Sequence, residues 1–332
     1  MHLVCPAGSP PALMTAVDHG ADAVYVGFRD QTNARAFPGL NFSEADLHAG
    51  IRYAHARGRN VYVALNTYPG PAHFGDWQAA VDRAAALGVD AIICADMGVL
   101  DYAARTHPTL PRHLSVQGSA TTHAALRYYR ERFGIARAVL PRVLSIQQVE
   151  RLCEQDVVPI EVFAFGSLCI MVEGRCQLSS YVTGASPNRH GVCSPAKFVR
   201  WEEGPGGQRS VRLNDRLIDR FEAGESAGYP TVCKGRYDVA GNVFHALEEP
   251  TSLNTLELLP RLAAAGVVAL KIEGRQRGQA YVAAVTRTWR AALDRFAARP
   301  DGWSPDPQWQ RELARHAEGH QTTLGPYHRS WQ

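Results

Sequence analysis

The sequence lacks several features that would place it at once. No apolar run approaches the roughly 18 residues of a membrane-spanning helix. The longest, VDAIICADMGVL at 89–100, carries two Asp. Charge of one sign is scarce: 35 Lys and Arg against 32 Asp and Glu leave a net +3. That excess is too weak to argue for DNA or an anionic membrane surface. MHLVCPAGSPPALM at the start has no basic stretch leading into a long apolar run, so no secretory signal and a cytoplasmic setting are expected. There is no G-x-S-x-G elbow, no P-loop and no glycine-rich dinucleotide loop after the first apolar run. HAEGH at 316–320 misses the zinc-peptidase pattern because Glu318 stands one place late, and no P-C-x-x-C accompanies it as in nucleobase deaminases. Hydrolysis therefore has little positive support.

What is present is an ordinary globular composition, 332 residues with 45% hydrophobic and 20% charged. Short apolar runs rich in β-branched residues recur at 2–5, 23–28, 61–65, 91–95, 113–117, 137–141 and 160–165, with an eighth at 268–273. Continuous rather than alternating runs suit strands covered on both faces, as in a parallel sheet. Helical patterns lie between them. In SPPALMTAVDHG, Ser9 is an expected N-cap, Pro10 and Pro11 fill the first turn, and Gly20 is an expected C′ residue. Eight strand–helix units predict an α/β fold, a (β/α)8 TIM-barrel-like architecture.

A gap separates the seventh and eighth strands. There KFVRW and SVRLN flank a turn-rich EEGPGGQR, and RYDV and VFHAL flank AGN, two hairpin-like patterns. The expected organisation is barrel over 1–170, a β-rich cysteine-bearing insertion over 171–250, the last strand and helix over 251–298, and a tail over 299–332. Helical periodicity is expected to resume at TSLNTLELLPRLAAAG, and the tail carries no assignment.

Seven cysteines without an export signal point to buried thiols, catalytic thiols or metal ligands. Cys5, Cys94 and Cys153 sit in apolar or helical patterns and read as core. Cys169, Cys176, Cys193 and Cys233 are spaced C-x6-C-x16-C-x39-C, each beside Gly, Pro, a charge or a strand end. Four thiolates suit zinc or an iron–sulfur cluster. The absence of paired C-x2-4-C knuckles favours the cluster without excluding zinc. Arg175, Lys234 and Arg236 lie next to these cysteines and could offset thiolate charge.

Polar residues at strand C-termini line barrel active sites. Here they are Asn66, Asp96, Gln117, Ser119, Arg142, Glu273 and Arg275, of which Asn66, Gln117, Arg142, Glu273 and Arg275 form the candidate substrate-binding set. Arg142 and Arg275 together could clamp a carboxylate, since guanidinium forks match carboxylates bidentately. Trp201, Trp303 and Trp331 are candidates for a partner surface.

CPAG (5–8), GADAVYVG (20–27), EVFAFGSLCIMVEGRC (161–176), CSPAKFVRW (193–201), YPTVCKGRY (229–237) and KIEGRQR (271–277) resemble the collagenase-like peptidase family, most nearly its ubiquinone-biosynthesis branch. The resemblance runs from Met1 to the final TTLGPYHRSWQ. It implies a four-iron, four-sulfur (4Fe-4S) cluster on Cys169, Cys176, Cys193 and Cys233. It also implies a heterodimer with a UbiV-like paralogous iron–sulfur protein. The implied activity is oxygen-independent hydroxylation of a ubiquinone ring precursor, with prephenate as the oxygen source. Peptidase activity is not expected. Two other readings stand beside this one: hydroxylation of tRNA or rRNA within the same family, and a zinc-stabilised peptidase or scaffold.

Overall fold

The computed structural model describes residues 1–36, 38–171 and 175–328. Seven parallel strands follow one another in sequence order: β1 (His2–Pro6), β2 (Ala23–Val26), β3 (Asn60–Leu65), β4 (Ala91–Cys94), β5 (Arg112–Leu114), β6 (Arg137–Val139) and β7 (Ile160–Ser167). Next come β8 (Val199–Glu203), β9 (Arg209–Leu213), β10 (Arg216–Phe221), β11 (Tyr237–Val239), β12 (Asn242–Phe244), β13 (Ser252–Asn254), β14 (Ala269–Ile272) and β15 (Thr322–Thr323). Strand β14 pairs in parallel with β7 on one side and β1 on the other, which closes an eight-stranded barrel. The (β/α)8 expectation is met, with every expected barrel strand in place.

Local chemistry explains the helices that wrap it. Ser9 accepts from the Ala12 N–H at the start of helix Pro10–Asp18, and Gly20 takes φ +97° just past its end. Ser43 with Asp46, and Ser145 with Gln148, close reciprocal capping boxes on helices Glu44–His55 and Ile146–Glu154. The helices pack on the outer face of the barrel, where Trp289 of helix Gln279–Ala298 is fully buried. No helix among the described residues is long and apolar enough to cross a membrane.

The two expected hairpins are β8–β9 and β11–β12, both antiparallel. Three features differ from expectation. Strand β10 adds to β9 through a turn in which Asn214 (φ +47°) and Asp215 (φ +62°) are both left-handed, so the first hairpin becomes a three-stranded meander. Asn and Asp tolerate that conformation because their short side chains bond locally. The fifth strand ends at Leu114, since Ser115 accepts from the Gln117 N–H and turns 116–118 into one 3-10 turn. Finally, 252–254 is strand β13, antiparallel to β7, and helix begins only at Leu259. The C-terminal segment then folds back. It forms helix Pro307–His316 and adds β15 alongside β13.

Candidate functional site

The four spaced cysteines, scattered over 65 residues of chain, all line one cavity of about 160 Å³ at the C-terminal mouth of the barrel. Cys169 lies two residues past β7. Cys176 caps helix Gln177–Thr183, its Sγ accepting from the Ser179 N–H at 3.4 Å, while the Ser179 hydroxyl donates to the Cys193 carbonyl. Cys193 follows Gly191 (φ +75°), where a Cβ would stand 2.7 Å from the Ala36 nitrogen; the insertion rests directly on the loop after β2. Cys233 sits in the turn Val232–Lys234, 3.7 Å from the Thr231 hydroxyl.

The thiols affect one another electrostatically. Burial pushes the Cys193 thiol up, Arg35 pulls it back, and Cys176 and Cys233 push it up again. Burial also raises Cys233, with Thr231 and Lys234 opposing and Cys169 and Cys176 reinforcing. Among the described residues no three His, Cys, Asp or Glu side chains gather tightly enough to hold a single ion. All seven cysteines are free thiols. Tetrahedral zinc needs four sulfurs at about 2.3 Å from one centre, whereas a four-iron cluster takes one thiolate on each of four separated irons. Four thiols lining one cavity are a donor set that either group could use.

All five candidate substrate residues line the same cavity. The Asn66 side-chain Oδ1 accepts from the Ala34 N–H at 3.1 Å. Gln117 is buried, and its backbone carbonyl accepts from the Tyr68 hydroxyl at 2.6 Å. Arg142 lies 4.2 Å over the Phe163 ring and donates to the Ser167 carbonyl. Glu273 pairs with Arg35 at 3.4 Å; burial works to raise its carboxyl, but Arg35 and Arg142 outweigh it and hold it below the ordinary range. Arg275 is buried, which lowers it to about 10, still charged at neutral pH. Its Nη1 donates to Asn33 at 3.0 Å and Asn41 at 3.3 Å, so any ligand contact falls to its remaining nitrogens.

The other two strand-end residues are structural. Asp96 caps helix Met97–Thr106 through the Val99 N–H, and Ser119 (φ +50°) ends the 3-10 turn. Of the cations beside the cysteines, Lys234 lines the cavity, Arg175 stacks 4.1 Å from the Tyr68 ring, and Arg236 turns away to Asp219 and Glu225. Trp303 packs against Phe296 and Trp309 and donates to the Leu256 carbonyl, whereas Trp201 is part-exposed. Trp331 lies outside the described residues.

Sequence reasoning missed Arg35, which lines the cavity, and a buried charge cluster inside the barrel that reaches the cavity through Lys271. Glu161 bonds Lys271 at 2.7 Å and Arg137 at 3.0 Å inside the barrel, with His113 edge-on to Tyr62 above it. Burial tends to raise Glu161, yet Lys271 and Arg137 bring it down to about 2; burial lowers His113 to about 3. The available signal was a charge inside an otherwise apolar strand, Glu161 in IEVFAF and Lys271 in VALKIE. Such charges are rare in a core unless paired.

This arrangement can bind a small anion beside the four thiols. Among the described residues no histidine lines the cavity, so no nucleophile–base pair of the Ser–His or Cys–His kind is built there.

Known proteins place the chain in a family. A tRNA hydroxylation protein of Bacillus subtilis is 30% identical over 317 residues, covering 94% of this chain and 67% of that protein. A tRNA hydroxylation protein of Escherichia coli is 31% identical over 320 residues, covering 89% and 68%. A 23S rRNA 5-hydroxycytidine synthase of Escherichia coli is 28% identical over 297 residues, covering 89% of this chain but 39% of the enzyme. The chain thus spans about two thirds of the length of the tRNA relatives. The profile of Peptidase family U32 matches residues 8–329, and the chain belongs to that family.

Proposed function

We propose that this chain is an iron–sulfur component of an oxygen-independent hydroxylation system, with a 4Fe-4S cluster on Cys169, Cys176, Cys193 and Cys233. The observation that carries the reading is the convergence of those four thiols on one cavity that also holds Arg142, Glu273 and Arg275. A bound cluster would supply one-electron chemistry, and four protein thiolates would leave no iron open to substrate. The chain's own residues bind and orient. Arg142, held over Phe163, and the outer nitrogens of Arg275 present guanidinium to a carboxylate such as those of prephenate. Gln117 and Asn66 offer amides to hydroxyl or carbonyl groups. The insertion packs on Arg35 and Ala36 at the mouth.

Two hydroxylation substrates are in play. The relatives named for tRNA and rRNA hydroxylation support RNA. The resemblance to the ubiquinone-biosynthesis member UbiU supports a ubiquinone ring precursor, processed in the cytoplasm with a UbiV-like paralogue as heterodimer partner. Residues 172–245 carry ten Lys and Arg against eight Asp and Glu, which gives no strong basic stripe and counts mildly against RNA, while the relatives' names count for it. A zinc-stapled peptidase gains no support from a cavity that, among the described residues, is lined by no histidine.

The first test is protein purified without oxygen. Matched iron and sulfide near four of each per chain, with colour lost in any quartet Cys→Ala variant, is the expected result. Zinc, or no metal, would sink the cluster reading. For the substrate, a deletion strain grown without oxygen is analysed by mass spectrometry for ubiquinone and for hydroxylated nucleosides. Loss of ubiquinone alone selects the quinone precursor, and loss of a hydroxynucleoside alone selects RNA.

A further inference from the structure

The HAEGH segment, which fits no metallopeptidase, has a place at this site. Lys234 directly follows Cys233, and its side chain is buried against the cysteine cavity. Its Nζ lies 3.3 Å from the Ser167 hydroxyl and is ion-paired to the Glu318 carboxylate. Glu318 arrives from the far end of the chain and is held at three points. Its N–H donates to the Ser252 hydroxyl at 2.9 Å, its other carboxylate oxygen accepts from Ser167 at 3.0 Å, and β15 pairs with β13 just beyond it. The next residue, Gly319 (φ +57°), lies where a Cβ would be 2.7 Å from the Pro250 carbonyl oxygen. Only glycine brings the chain that close in that conformation.

We infer that Glu318 is a positioning residue that sets the reduction potential of the proposed cluster by neutralising Lys234 beside Cys233. This rests on the cluster reading above. An ammonium buried next to four thiolates favours the more negative, reduced cluster, because the interaction is strong where solvent is excluded. The Glu318 carboxylate opposes that field and holds the potential lower. On the other side of the quartet, Arg35 near Cys193 carries its own carboxylate, Glu273. The two cations that act on the Cys193 thiol, Arg35 and Lys234, are thereby each paired with a carboxylate, and the C-terminal segment supplies one of those two counter-charges.

The test is an anaerobic redox titration with dithionite, read by electron paramagnetic resonance, on the full chain. Wild type, E318Q, K234Q and K234R are compared, with iron and sulfide counted in each. E318Q is expected to raise the midpoint potential, K234Q to lower it, and K234R to restore it. Should K234Q lose its cluster, the direction of the E318Q shift decides by itself, with E318D, which keeps the charge, expected near wild type. Loaded E318Q with an unchanged or lowered midpoint would overturn the inference and leave Glu318 as a tether for the tail. A wild-type protein without matched iron and sulfide would instead overturn the cluster reading beneath it.

Discussion

At the scale of single residues, the barrel interior holds a buried set of charges. Glu161, Lys271 and Arg137 are mutually satisfied, and removing one member of a buried set leaves another uncompensated. Lys271→Met is therefore expected to cost about 3–5 kcal/mol, read as a lower urea midpoint. A change under 1 kcal/mol would mean that Arg137 alone satisfies the carboxylate. His113 and Glu161 also make stability fall in acid, in two successive windows. His113 is lowered from 6.5 to about 3, so the unfolded chain binds more protons than the folded one between those values. Its contribution is complete above pH 6.5 and shrinks by about 1.4 kcal/mol per pH unit below it. Glu161, lowered from 4.5 to about 2, adds its own loss only below pH 4.5. His113→Gln should flatten the stability profile between pH 6.5 and 4.5 while leaving the steeper fall beneath. Parallel profiles for variant and wild type would exclude His113 as the source.

At the scale of elements, the β8–β10 meander has a small core of its own, Val211, Leu213, Ile218 and Phe221, separate from the barrel. It holds the segment between Cys176 and Cys193 through Val182, which packs on that core and accepts from the Asn214 side chain at 2.7 Å. Leu213→Ala removes a fully buried side chain at a cost of about 2–5 kcal/mol. Because the loss falls on the insertion, limited proteolysis should cut there sooner while the helical circular dichroism of the barrel stays unchanged. Simultaneous loss of both signals would show that insertion and barrel unfold as one unit. The hairpins were legible in advance because GPGG and AGN are strong turn signals. Strand β10 was not, since Arg216, Leu217, Asp219 and Arg220 interrupt any apolar alternation and its pairing rests on a turn of Asn and Asp.

At the scale of the whole molecule, the cysteine cavity is assembled from the C-terminal ends of several barrel strands, the loop after β2 and the insertion. The C-terminal segment adds Glu318 behind Lys234. The barrel provides a rigid mouth, and the less regular pieces converge on it. Four thiolates joined by a cluster would also cross-link the β7 end to the insertion. Anaerobic protein is therefore expected to melt higher than the same protein after cluster removal by air and chelator, with little change in helical content, because the barrel core does not depend on the quartet. Equal melting temperatures would place the cluster outside the load of the fold.

The sequence by itself determined the barrel, since buried parallel strands must be continuous apolar runs and helix ends must be capped, and both demands are local. It also marked the four cysteines and the polar strand ends, because thiols beside turn residues and polar groups after apolar runs stand out by position. Tertiary structure alone decided what each of those groups faces. Arg275 gives one nitrogen to Asn33 and Asn41, Asp96 caps a helix, Arg236 turns to Asp219, and Glu318 reaches Lys234 across 84 residues. The physical reason is the same throughout. Strand and helix formation depends on neighbours within a few residues, whereas the partner of a charge depends on which loops the closed barrel brings to one end.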